Sequence, residues 1–125
     1  MVITFFAFLT RIFNLGTPKG LVFDEIYYVD GARDYLKFGV ELTKGAPEFV
    51  VHPPVGKWLI AVGIKLFGDH EFGWRIAVAV AGTLTVYLTA KIALRIFHER
   101  KWATLASLLV ALDGLNLVMS RTALL

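Results

Sequence analysis

Two adjacent carboxylates, Asp24 and Glu25, lie in the run Phe23-Asp24-Glu25-Ile26-Tyr27-Tyr28, just beyond an apolar segment. A carboxylate placed there can take a proton from an incoming hydroxyl at the level of lipid headgroups. That suits a reaction whose co-substrate is carried by a lipid. A plainer reading of the same residues stays open. Tyr28, Ala32, Tyr35 and Leu36 recur at helical spacing, so Asp24 can be an N-cap and Glu25 a first-turn acid that complements the helix dipole. The two readings are compatible, because a cap would fix the backbone that aims the acid.

A second constellation is Val51-His52-Pro53-Pro54-Val55-Gly56-Lys57-Trp58. The prolines force His52 into an extended conformation and constrain its imidazole more than an ordinary loop would. They also punctuate the start of a helix over Val55 to Phe67, in which case His52 is merely solvated. Lys57 can meet a lipid phosphate or simply snorkel to headgroups. Arg75 and Arg121 stand at matching depth at the outer ends of two apolar segments. A guanidinium offers paired donors to a phosphate or pyrophosphate leaving group, and interfacial snorkelling is the competing account. Asp113 lies about one turn inside an apolar segment, with Asn116 a turn later; acids so placed usually face a bundle interior or a polar cavity. His52, His70 and His98 show no ligand spacing, so no metal site is expected.

The elements that must position these groups belong to a membrane protein. Hydrophobic residues make up 57% of the 125 and charged residues 18%, and the mean hydropathy is +0.65, far from soluble usage. A net charge of +3 with scattered bases gives no nucleic-acid footprint. The absence of cysteine excludes disulfides, thiolate metal sites and cysteine nucleophiles. Hydropathy and breakers predict a first helix over about 1–15, a loop over 16–71, a second helix over about 72–97, a polar turn at 98–101 and a third helix over about 102–119. The first would rise only about 22 Å against a hydrocarbon core of about 30 Å. With the third segment stopping without a closing feature, the chain reads as the N-terminal piece of a larger protein. The turn at 98–101 is short and basic, which puts it in the cytoplasm and the 16–71 loop outside.

Taken in order, Phe23-Asp24-Glu25 through Tyr28, His52-Pro53-Pro54 with Gly56-Lys57, Arg75 opening a helix, and Ser120-Arg121-Thr122-Ala123-Leu124-Leu125 resemble the polyprenyl-phosphate-mannose (dolichyl-phosphate-mannose) protein O-mannosyltransferases, with bacterial, actinobacterial-like members nearest. The resemblance covers nearly the whole chain. It implies an all-α integral membrane protein of the GT-C type, represented by three membrane helices and one external loop with interfacial helices. It further implies inverting transfer of mannose from a polyprenyl-phosphate-mannose donor to Ser or Thr hydroxyls of translocated proteins. Asp24 and Glu25 are then the catalytic pair, and His52, Pro53, Pro54, Lys57, Arg75 and Arg121 bind substrate. A divalent cation is left open as cofactor. The expected setting is multi-pass, in the plasma membrane of a bacterium, with the loop on the non-cytoplasmic side. Partners are the lipid-linked donor, an acceptor protein and the membrane. The alternatives are a GT-C transferase that moves a lipid-linked sugar to a lipid or wall glycan, a transporter subunit in which Asp113 and Asn116 line a pore, and a structural anchor.

Overall fold

The computed structural model describes residues 2–43, 46–47 and 53–124. Among the described residues six helices and one very short hairpin follow in order: α1 (Val2–Ile12), α2 (Glu25–Phe38), β1 (Leu42–Thr43), β2 (Ala46–Pro47), α3 (Pro54–Phe67), α4 (Glu71–Phe97), α5 (Arg100–Leu112) and α6 (Gly114–Met119). The hairpin is antiparallel and pairs Leu42 with Pro47.

Local chemistry sets most of these limits. α2 ends where Gly39 turns left-handed at φ 78° and donates its N–H to the Tyr35 carbonyl at 3.1 Å. α3 opens with proline at its first position, where no N–H is needed. Its far end passes through Gly68, at φ 102°, into the start of α4. α4 has 27 residues, a rise of about 40 Å, and ends at His98 in the left-handed region. Among the described residues it is the one helix long and apolar enough to cross a membrane, and only 33% of its most apolar window is buried within the chain.

The segment expected as one helix over about 102–119 is broken at Asp113. Its backbone there is extended, at φ −62° and ψ 119°, and its carboxylate accepts the Asn116 N–H at 2.6 Å to cap α6. An Asp-Gly pair prefers this local bond to continuing a helix. Asp113 is exposed, and its role, open from the sequence, is here that of a helix cap. α1 is also shorter than expected and gives way to a turn in which Asn14 is left-handed, at φ 53°.

α4 is the hub, with α1, α3, α5 and α6 packed against it and α2 laid over α3. The main core joins Val29 and Ala32 of α2 to Ile60 and Ile64 of α3 and to Trp74 and Val78 of α4. α3 and α4 approach so closely that a Cβ on Gly63 would collide with the Gly73 carbonyl oxygen. A second cluster, Ala7, Val86 and Ala111, lets α1, α4 and α5 meet through small residues.

Candidate active site

The acidic pair divides into two unlike groups. Glu25 is completely buried. Its Oε1 accepts from Arg75 Nε at 2.8 Å and from the Ala123 N–H at 2.7 Å, and its Oε2 accepts from Arg75 Nη2 at 2.8 Å and from the Val22 N–H at 2.8 Å. Burial pushes this carboxyl up, but the hydrogen bonds from Arg75, Ala123 and Val22 outweigh it and hold Glu25 below its ordinary value. Asp24 is exposed, one residue away, at the N-cap of α2. Its carboxylate makes no capping bond, so the cap reading holds for the backbone alone. The residue before it, Phe23, sits at φ 54°, an uncommon conformation for a bulky side chain, and points 76% of its surface outward.

Arg75, the fifth residue of α4 after Glu71-Phe72-Gly73-Trp74, gathers the chain around the turn that carries Asp24. Nε and Nη2 grip Glu25; Nη1 donates to the Leu15 carbonyl at 3.3 Å and the Pro18 carbonyl at 2.9 Å; Nη2 also donates to the Gly20 carbonyl at 3.0 Å. All five N–H donors of the guanidinium are therefore engaged within the chain, and the side chain is 1% exposed. In this arrangement no N–H of Arg75 remains for a phosphate.

Arg121 is different. Its Nη1 donates to the Thr10 and Arg11 carbonyls at 2.6 and 3.2 Å, and Nη2 to the Asn14 carbonyl at 3.4 Å, closing the open C-terminal end of α1. The side chain is half-buried and lines a cavity of about 220 Å3 with Thr17, Pro18, Val22, Arg75 and Thr122. Arg11 answers from the other direction: fully buried in α1, it donates to the Ala7 carbonyl at 3.1 Å and to Asn116 Oδ1 at 2.6 Å. The two arginines thus tie α1 to α6 from both sides. Gly82 permits this, because a Cβ there would collide with Ser120 and press on Arg11 Nε.

Lys57 is buried in α3 and paired with Glu41, which is itself buried; Gly31 of α2 leaves the room for both. It faces the ring of Tyr28 at 5.8 Å. A third latch is Asp69, which accepts from Arg33 at 2.9 Å and from Trp74 Nε1 at 2.6 Å. Arg33 holds the Asp69 carboxyl below its ordinary range, against a smaller opposing effect of burial. Pro53 and Pro54 lead into α3, and His52 lies outside the described residues. Among the described residues no group of three or more His, Asp or Glu comes together to hold a metal ion.

The structure thus brings Asp24, Glu25, Arg75 and Arg121 into one neighbourhood and binds Lys57 into a separate ion pair. The partners Glu41, Asp69 and Asn116 escape a reading of the sequence, since each meets its arginine or lysine across a long separation. Arg11 carried a usable signal, a lone guanidinium on an apolar helix.

Family models described as dolichyl-phosphate-mannose-protein mannosyltransferase match residues 51–124 and 1–71. The chain belongs to that family. A polyprenol-phosphate-mannose–protein mannosyltransferase of Mycolicibacterium smegmatis is 45% identical over 99% of the chain and 25% of the relative. One of Mycobacterium tuberculosis is 43% identical over 99% of the chain and 24% of the relative. Protein O-mannosyl-transferase 1 of Rattus norvegicus is 30% identical over 100% of the chain and 18% of the relative. The chain spans about a quarter of the length of the first of these mannosyltransferases. No solved structure matches it.

Proposed function

We propose that this chain supplies the acidic loop of a membrane mannosyltransferase of the GT-C type, which moves mannose from a polyprenyl-phosphate-mannose donor to Ser or Thr hydroxyls of proteins. Asp24 is the general base. As the acceptor oxygen bonds to the anomeric carbon, its proton passes to the Asp24 carboxylate. The bond from that carbon to the phosphate oxygen breaks on the opposite face, and the electron pair leaves with the polyprenyl phosphate. The result is inversion.

The observation that carries this reading is the contrast between neighbouring acids. Glu25 is saturated by four hydrogen bonds, whereas Asp24 is exposed with no capping bond. Glu25 and Arg75 are positioning residues that hold the turn carrying Asp24. Arg121 retains N–H groups beyond the three bonds it makes, so it is the cation best suited to the leaving phosphate. Lys57 acts through Glu41 to seat α3 under α2, and Pro53 and Pro54 start α3 at that place. The enzyme is multi-pass, with α4 as one span, the Asp24 side non-cytoplasmic and the plasma membrane as its site in a bacterium.

The test uses the full-length protein in membranes, labelled polyprenyl-phosphate-mannose and a Ser/Thr-rich peptide. Label in the peptide, lost in Asp24→Asn, supports the reading. Label only in lipid or glycan would assign the chain to a transferase with a different acceptor. A pore built on Asp113 has little support, because that side chain caps α6 from an exposed position.

A further inference from the structure

At the end of α4 remote from Asp24, α1, α4 and α5 line an open cavity of about 570 Å3. Its walls include Thr4 of α1, Tyr87, Lys91 and Leu94 of α4, and Arg100 and Ser107 of α5. The Ser107 hydroxyl is turned to the Thr104 carbonyl at 3.0 Å, so the floor offers no free hydroxyl there. Beside the hydroxyls of Thr4 and Tyr87, Lys91 and Arg100 are the charged groups of a mainly apolar groove. Neither Lys91 nor Arg100 has an ion-pair partner among the described residues. Glu99 is the one carboxylate between Glu71 and Asp113, and it pairs with Lys101 at 2.6 Å.

Lys91 stands six residues before the end of α4 at Phe97, about 9 Å along the helix axis. An ammonium rooted that deep on a spanning helix needs either water or an anion brought to it. Arg100 is the first residue of α5, where backbone N–H groups add to the positive potential. A soluble phosphate would gain nothing from the apolar walls. A phospholipid would satisfy both parts, with its phosphate at the cations and an acyl chain along the groove.

We infer that this cavity binds an anionic phospholipid of the leaflet on the His98–Lys101 side, with the phosphate held between Lys91 and Arg100. The inference rests on the membrane placement in the proposed function, and not on the sugar chemistry.

The experiment is native mass spectrometry of the full-length protein after exchange into detergent micelles with phosphatidylglycerol or phosphatidylcholine. The wild type should retain phosphatidylglycerol about tenfold better, as expected for two cations near a headgroup. The double variant K91Q/R100Q should lose that preference, and K91R/R100K should keep it. Equal retention of the two lipids by the wild type overturns the proposal, and so does undiminished preference in K91Q/R100Q. Uptake of inorganic phosphate with no preference between lipids would put a soluble anion there and also overturn it. The wild-type comparison stands even where K91Q/R100Q fails to fold. Asp24→Asn should retain the lipid preference whether or not transfer is lost, so failure of the catalytic reading stays separate.

Discussion

Glu25 and Arg75 face each other as a two-point ion pair, fifty residues apart in sequence and 0% and 1% exposed, with both carboxylate oxygens engaged at 2.8 Å. The pair fixes the turn at residues 22–25 to the start of α4, and leaves the neighbouring Asp24 as the exposed acid of the two.

Asp24→Asn keeps the size and exposure of the side chain but cannot accept the acceptor proton. Transfer to peptide should fall by about 100-fold or more, with donor KM little changed and the melting temperature in detergent unaltered. Retained activity with unchanged pH dependence would remove Asp24 as the base.

Arg75→Ala should act on folding. Removing one partner of a buried pair leaves the other charge unpaired, at a cost of about 3–5 kcal/mol. Limited proteolysis should then cut within residues 16–24 faster than in the wild type. Arg75→Lys should rescue only partly, because an ammonium cannot reproduce the two-point grip on Glu25 together with three carbonyl bonds.

Glu25 also gives a pH signature. Its carboxyl is held below its ordinary value of 4.5, so the folded state favours the charged form. Its stabilisation is fully present above the ordinary value and fades as pH falls from there through the depressed value. The melting-temperature gap between wild type and Glu25→Gln should therefore stay constant from neutral pH down to about the ordinary carboxylate range, then close below it. A gap that closed near pH 6 would contradict the buried pair.

Two glycines should respond in opposite ways. Gly63→Ala forces α3 from α4, because the collision is with the Gly73 backbone, and should cost about 1–3 kcal/mol. Gly114→Ala meets nothing within 4 Å and should leave stability unchanged or slightly raised. Paired thermal melts of the two variants decide the point.

Asp113→Ala should lose about 1 kcal/mol of helix capping and leave mannose transfer near the wild-type rate. Abolition of transfer without loss of stability would give Asp113 a part beyond its cap.

The helices of the loop and the long α4 were legible in the sequence because their limits are local: a proline pair before α3, a glycine after α2, unbroken apolar residues through α4. The kink at Asp113 was not, because an acid near the end of an apolar run looks the same whether it faces a cavity or caps the next helix. Only the bond to the Asn116 N–H distinguishes them. The placing of Arg75 at the level of the acidic pair was legible from depth. Its saturation was not, since its acceptors are carbonyls at residues 15, 18 and 20, which any sequence would supply. Lys57 looked like a headgroup cation for a similar reason: Glu41, sixteen residues earlier, carries no local sign of being its partner.

The bond from the Ala123 amide to Glu25 has a consequence for biosynthesis. The seal around the acidic turn draws on a residue made 98 positions later, and on Arg75 midway between. A nascent chain whose first turn has already emerged cannot yet hold that turn in place. That closure arrives only once the return segment has threaded back, so under the role proposed for Asp24 half-made copies should stay inert.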